Sequence, residues 1–270
     1  MLFLTLMAFS AWASDYSDSN VPLYEFGALL GSAILPDYPA ASQSRNRSIP
    51  LPLFHFNGDL LRADDQDGTR LRFISLESLD LNLSFGGSFP TETGNNQARS
   101  GMPNLDWTAE IGPRLVYYFY RKPQIGKISL GLPIRSNFAT NFVRFYGIGY
   151  VVAPGLKFEK YNLFDDVDLY FDLTSNFISQ GVAQYFYGID PAFETPERIA
   201  YTAKEGFLGH EISLAFKFRF GNKNLIVGTQ YADYSQSANK QSFLHQSNVN
   251  WSFVAALSWV FFQSSERGTN

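Results

Sequence analysis

His245-Gln246-Ser247-Asn248 is a stretch in which residue types and spacing could support nucleophilic chemistry. On an extended strand, His and Ser two apart project to one face, as a base and the nucleophile it activates require. The sequence identifies no orienting partner for them, and an ordinary polar loop accounts for the same residues. Asp64-Asp65-Gln66-Asp67-Gly68 has oxygen ligands at calcium-like spacing but lacks the distal Glu of a calcium-binding loop, so it reads as a solvated turn. Three isolated histidines, His55, His210 and His245, make no zinc constellation. The chain has no cysteine, which excludes disulfide staples, thiol catalysis and thiolate metal sites. No catalytic, cofactor-binding or metal residue is assigned.

A different set of charged residues shares a pattern rather than a motif. Asp80, Glu110, Arg114, Lys127, Arg135, Asp168, Asp172, Glu211, Lys217 and Arg219 each lie in the polar row of a segment whose other row is apolar. If those segments enclose an interior, these ten are the lumen-facing candidates. They could line a selective aqueous pore, or fill and stiffen the barrel as ion pairs. Five are acidic and five basic, whereas a selective channel is lined by one sign, so the balance favours ion pairing.

The elements that would position them are strands. In 207–220, Leu208, Ile212, Leu214, Phe216, Phe218 and Phe220 alternate with Gly209, Glu211, Ser213, Ala215, Lys217 and Arg219, and His210 falls in the apolar row. The same period of two runs through 78–85, 106–119, 126–135 and 167–176. A soluble sandwich shows this alternation too, with its apolar face inward. Strand length separates the two: several segments run 10–14 residues, longer than an ordinary strand and suited to a tilted membrane strand.

Connections give a second test. Outer-membrane barrels pair short turns at one rim with long loops at the other and have an even strand number. Read backwards from a last strand at 251–262, the connections are long (about 235–250), short (Gly221-Asn222), long (about 190–206), short (Arg121–Gln124) and long (about 88–105). Candidate strands lie near 24–34, 50–60, 69–87, 106–120, 125–136, 141–152, 156–161, 166–176, 181–190, 207–220, 222–234 and 251–262. The apolar phase slips at Ile74-Ser75-Leu76, so 69–87 reads as one bulged strand or a tight hairpin. The expectation is an all-β fold: an antiparallel transmembrane β-barrel of about 12 strands with both termini in the periplasm. Phe262 ends the last strand, as an assembly signal for barrel insertion would require.

Composition agrees. Aromatics reach 17%, with 26 Phe, 15 Tyr and 4 Trp, a load that barrels place in girdles at both lipid interfaces. No stretch approaches the length of an apolar transmembrane helix. A net charge of -4 gives no basic footprint for nucleic acid. Residues 1–10 are almost wholly apolar and Ala11-Trp12-Ala13 is a cleavage pattern, although no Lys or Arg precedes them. A signal peptide over 1–13 and a single barrel domain over 14–270 are therefore expected, in the outer membrane of a Gram-negative cell.

Four stretches carry a family resemblance: Val21–Gly27 with LPDYPAASQSR (35–45); IPLPLFHFNGDLLRADDQDGTRLRF (49–73); GNNQARSGMPNLDWTAEIGPRL (94–115); and YFYGIDPAFETPERIAYTAKEGF (185–207). Together, and in this order, they resemble the MipA/OmpV family of outer-membrane proteins. Where the family usually shows Gly-Ser-Asp in its first loop, this chain has Ala40-Ala41-Ser42. The resemblance implies a barrel that scaffolds cell-wall (peptidoglycan) assembly, with a lytic transglycosylase and a penicillin-binding protein as partners beside outer-membrane lipid. It implies no cofactor and no enzymatic activity; other relatives are porin-like or adhesive, so a diffusion channel is the alternative. His245-Gln246-Ser247-Asn248 is also similar to a stretch of outer-membrane phospholipases, but here Val249 follows in place of Gly and the segment precedes the final strand, so a lipid hydrolase is the third reading.

Overall fold

The computed structural model describes residues 22–57, 61–64, 68–71, 74–122 and 124–266. The expected signal peptide and the central residues of the calcium-like stretch, 65–67, lie outside them.

Alternation translates directly into strands. β1 (Tyr24–Pro36) and β2 (Ser44–Asn57) form the first hairpin. β3 (Leu61–Asp64) and β4 (Gly68–Leu71) are short, and β5 (Ile74–Ser75) is a fragment paired with β6 (Leu79–Ser88). β7 (Trp107–Lys122) and β8 (Gly126–Thr140) are long. β9 (Phe145–Val152), β10 (Gly155–Phe164) and β11 (Val167–Ile178) follow, then a helix, α1 (Gln180–Tyr187). β12 (Gly206–Phe220), β13 (Lys223–Asp233) and β14 (Val249–Gln263) complete the chain.

All pairing is antiparallel, in the order β4-β3-β2-β1-β14-β13-β12-β11-β10-β8-β7-β6-β5, with β9 also between β8 and β11. The segment carrying β4 and β5 pairs with β3 on one side and with β6 on the other, and β4 lies against β6, so the sheet returns on itself as a ring. Closure removes the sheet edges that lipid could not satisfy.

β9 and β10 are in line. Ile134 pairs with Val152 and Gly131 with Gly155, three residues on in each strand, so register is kept across Ala153-Pro154. Pro154 has no N–H to give the ladder, and the strand is interrupted there without turning. The expected strands 141–152 and 156–161 are thus one wall strand. The expected strand 181–190 is corrected to α1: Val182, Ala183, Phe186 and Tyr187 are buried at i, i+1, i+4 and i+5, a helical stripe. Two strands are lost in this way. Two are recovered between β2 and β6, where β3 appears and 69–87 folds as the tight hairpin, its turn closed by Leu76 N–H donating to Leu79 C=O at 2.8 Å. Among the described residues the wall has twelve strands.

Connections segregate by length. The long ones, 37–43, 89–106, 179–205 and 234–248, share one rim with the tight turn 141–144. The turns 76–78, 165–166 and 221–222 share the other rim with the start of β1 and the end of β14, where Leu23 N–H donates to Glu266 C=O at 2.8 Å. We call these the loop rim and the turn rim. Gly221 sits at φ 62° in the two-residue β12–β13 turn, the left-handed conformation that such hairpins need.

The outward rows are apolar and exposed. Ile111, Leu115, Leu130, Leu132, Ile212 and Leu257 form a mid-height aliphatic band. Tyr24, Phe26 and Phe262 pack together near the turn rim, joined by Tyr117–Phe119 and Trp259–Phe261 pairs. Near the loop rim Trp107–Phe142, Phe138–Phe145, Phe177–Phe207 and Tyr231–Trp251 form the matching girdle. Exposed apolar surface on this scale has lipid, not water, as its solvent.

Candidate functional site: the loop cap and the barrel interior

The largest buried apolar cluster is not inside the sheet but at the loop rim. Tyr38, Met102, Leu105, Val182, Phe186, Tyr187, Ile189 and Leu244 from four connections pack on Ile148, Val151, Leu208 and Ala232 from the strand ends. The loops therefore form a cap with its own core. Leu208, expected in the outward row, is buried here because a bulge opposite Asn176 and Phe177 inserts one extra residue into β12 and flips its phase. Helix α1 docks closely on β9: a Cβ on Gly181 would lie 2.4 Å from Ile148 O, and Gly149, at φ 131°, would place one 2.1 Å from Ser179 Oγ.

Two arginines hold the loops together. Arg198 donates from Nη1 to Ala98 O (3.0 Å) and Ser100 O (2.9 Å), and from Nε and Nη2 to Phe193 O (3.1 and 2.9 Å). Arg99 donates to Phe186 O at 3.1 Å and lies over the Tyr38 ring at 5.8 Å; burial pulls its guanidinium below the ordinary value. Buried carbonyls need donors, and a planar guanidinium serves several from one side chain. Asp37 joins the first loop to the second, accepting from Asn96 Nδ2 at 2.8 Å and pairing with Arg45 at 2.7 Å. Ala40, at φ 63°, donates its N–H to Asn250 Oδ1 (2.9 Å), and its carbonyl accepts from the N–H groups of Gln246 and Ser247 (2.8 and 2.9 Å). Tyr187 donates to Pro39 O at 2.9 Å, and Asn239 bonds Lys204 through both N–H and C=O at 2.8 Å. Burial raises Tyr38 and Tyr187 well above a phenol's usual range, so both hydroxyls stay protonated.

His245 and Ser247 are part of this cap. His245 Nε2 lies 3.1 Å from Tyr234 O, and Ser247 Oγ donates to Val249 O at 2.6 Å. Each side chain is engaged with backbone, not with the other. Burial lowers the His245 pKa. Among the described residues no group of His, Asp and Glu could hold a metal.

The ten charged candidates lie along the strands beneath the cap and do not converge on one point. Glu110 accepts from Arg135 Nε at 2.8 Å, within a group that includes Ser84 and Asn137. Asp168 pairs with Arg219 at 2.6 Å, and Arg219 reaches Asp166 at 3.9 Å. Lys127 faces Glu159 at 3.9 Å. Asp80 pairs with Arg121 at 3.2 Å. Glu211 accepts from Gln230 at 3.0 Å and Tyr234 at 3.4 Å. Lys217 is fully buried, Asp172 half-buried, and Arg114 half-buried against Gly131. Sequence reasoning missed the partners Glu159 and Arg121, and Lys157 and Tyr161, which also engage Glu159, the lysine at 2.8 Å; alternation in Leu156–Tyr161 would have found Lys157, Glu159 and Tyr161. It also missed Arg99 and Arg198, although both sit inside the stretches that carry the family resemblance.

A family model described as MltA-interacting protein MipA matches residues 29–261. No curated protein matches the chain. Among solved structures, the CymD monoaromatic hydrocarbon channel is similar at 11% identity and a TM-score of 0.41, over 98% of this chain and 93% of that one. In-vitro folded OmpT, an outer membrane protein of Vibrio cholerae, shows 10% identity and a TM-score of 0.38, over 91% and 98%. The outer membrane protease OmpT from Escherichia coli shows 8% identity and 0.35, over 92% and 100%. At these values the likenesses say nothing about activity.

Proposed function

The chain belongs to the family of the MltA-interacting protein MipA, and from that membership we propose that this outer-membrane β-barrel works by binding partners: a lytic transglycosylase, and with it a penicillin-binding protein, in cell-wall assembly. The observation that carries a binding role over a diffusion pore is the packed cap. Four loops with a common apolar core and buried arginine ties cover the loop rim, and mixed-sign ion pairs occupy the wall beneath. In this reading the ten inward charges stiffen the barrel rather than select ions. No catalytic residue is assigned.

Both termini and the turn rim would then face the periplasm, with turns 76–78, 165–166 and 221–222 as the contact surface. Detergent-solubilised protein is expected to enrich murein hydrolases and synthases in a pull-down, and no enrichment would remove the proposal. Planar-bilayer recording separates it from the channel alternative: the intact barrel is expected to be silent, and steady open conductance would favour a pore.

A further inference from the structure

The long connections at the loop rim turn inward onto the cap, and the β8–β9 turn does not. No residue of 141–144 joins the cap's buried core. Phe142 and Val143, 82% and 90% exposed, are the two most exposed large apolar side chains among the described residues. Phe142 also holds φ 67°, a left-handed conformation that suits glycine or asparagine and is strained for a bulky side chain. Its ring meets Trp107 at 6.3 Å and otherwise projects away from the protein. What such a ring contacts must lie outside the chain.

Three successive N–H groups of this turn are satisfied without water. Phe142 N–H donates to Thr140 Oγ1 at 2.9 Å, and those of Val143 and Arg144 both donate to Asn141 Oδ1, at 3.1 and 2.8 Å. In water, solvent would serve these groups; in hydrocarbon each unpaired N–H is expensive. The turn also continues the loop-rim girdle, since Phe145 beside it stacks on Phe138 at 5.0 Å. Half-way round the ring the rim differs. Ser44, Asn46 and Ser48, the three outward positions of β2 nearest the rim, are polar and exposed, and Ser32 of β1 donates to Asn46 at 2.9 Å.

We propose that the β8–β9 turn is a lipid anchor: Phe142 and Val143 sit among the upper acyl chains of the leaflet at the loop rim, and Arg144 lies at its phosphates. Three observations select lipid as the occupant. The exposed pair is continuous with the aromatic girdle, the turn's N–H groups are paired internally, and the next residue is a cation. Arg144 is exposed and forms no ion pair among the described residues, and a guanidinium matches the oxygens of a phosphate. Acyl chains then reach the rim at β8–β9 and stop below it at β2, so the barrel leans toward this turn. The proposal rests on the membrane placement and not on the partner-binding role.

The chain has no cysteine, so a single introduced thiol can be labelled without background. Val143→Cys and, on the cap, the exposed Ile199→Cys are coupled to an environment-sensitive fluorophore. Each intact barrel, checked for folding by heat-modifiable gel migration, is placed in nanodiscs of phosphatidylcholine and phosphatidylglycerol, where both rims are open to solvent. The label at 143 should emit further to the blue, lose intensity to a nitroxide carried on the lipid acyl chain, and resist soluble iodide. The label at 199 should show the opposite pattern. Iodide quenching at 143 equal to that at 199 would overturn the anchor. Protection from both quenchers would also overturn it, because a protein surface, such as a second copy of this chain, would then cover the turn. Arg144→Glu sets like charge against the phosphates and should lower nitroxide quenching at 143 while raising iodide quenching. Unchanged quenching in that variant would overturn the phosphate contact.

Discussion

Ala40 shows how a single residue carries the cap. Its φ of 63° is the left-handed conformation in which a Cβ costs about 1–2 kcal/mol. Three hydrogen bonds, one donated to Asn250 and two accepted from Gln246 and Ser247, keep it there. The family's usual glycine in this loop suits that conformation without strain. Ala40→Gly should therefore leave stability within about 1 kcal/mol, relief of strain offsetting the lost methyl burial. Ala40→Val should loosen the cap, read as faster protease nicking in 234–248. His245 gives the cap a pH dependence whose sign follows from burial. Its folded pKa lies below the unfolded value of about 6.5, so it favours the neutral ring. Its contribution is complete above that value and is lost as pH falls from there toward the depressed folded pKa. Hydrogen exchange of the 234–248 amides should accelerate across that interval, and His245→Gln should abolish the change.

At the scale of elements, the loops behave as a small domain without regular structure. Arg198 satisfies three carbonyls from two loops, and hydrogen bonds from a charged donor are worth about 1.5–3 kcal/mol each. Arg198→Ala leaves those carbonyls buried without a donor. It should make 89–106 and 179–205 protease-sensitive while the barrel keeps its heat-modifiable migration. Arg198→Lys should recover only part of the protection, because a point-like ammonium cannot span the same fork of acceptors. If both variants match the wild type, the arginine does not hold the cap. Strand elements were legible from alternation, since one row meets lipid and the other does not. Helix α1 was not: its Tyr185-Phe186-Tyr187 run favours a strand locally, and only docking against Gly149 and Ile148 selects the helix.

The whole molecule is organised by its solvent. Leu257 lies in the aliphatic band of β14 and Phe261 in the girdle near the turn rim. Leu257→Arg should cost about 2–4 kcal/mol in vesicle unfolding and Phe261→Arg about 0–1, because the penalty falls with distance from the bilayer midplane. Equal costs would contradict the placement of the belt.

The sequence alone determined the class of fold, the two faces of most strands, the even strand count and the alternation of long and short connections. These are local and periodic: lipid outside and a closed interior impose the same rule on every strand. Its strand list was wrong in detail yet right in phase, since the losses at 141–161 and 181–190 and the gains between β2 and β6 are both even. Only the tertiary structure decided that the loops close the rim and which charges pair. Those contacts join residues far apart in the chain, as Ala40 and Asn250 are, and no local pattern records which distant backbone group a buried side chain will meet.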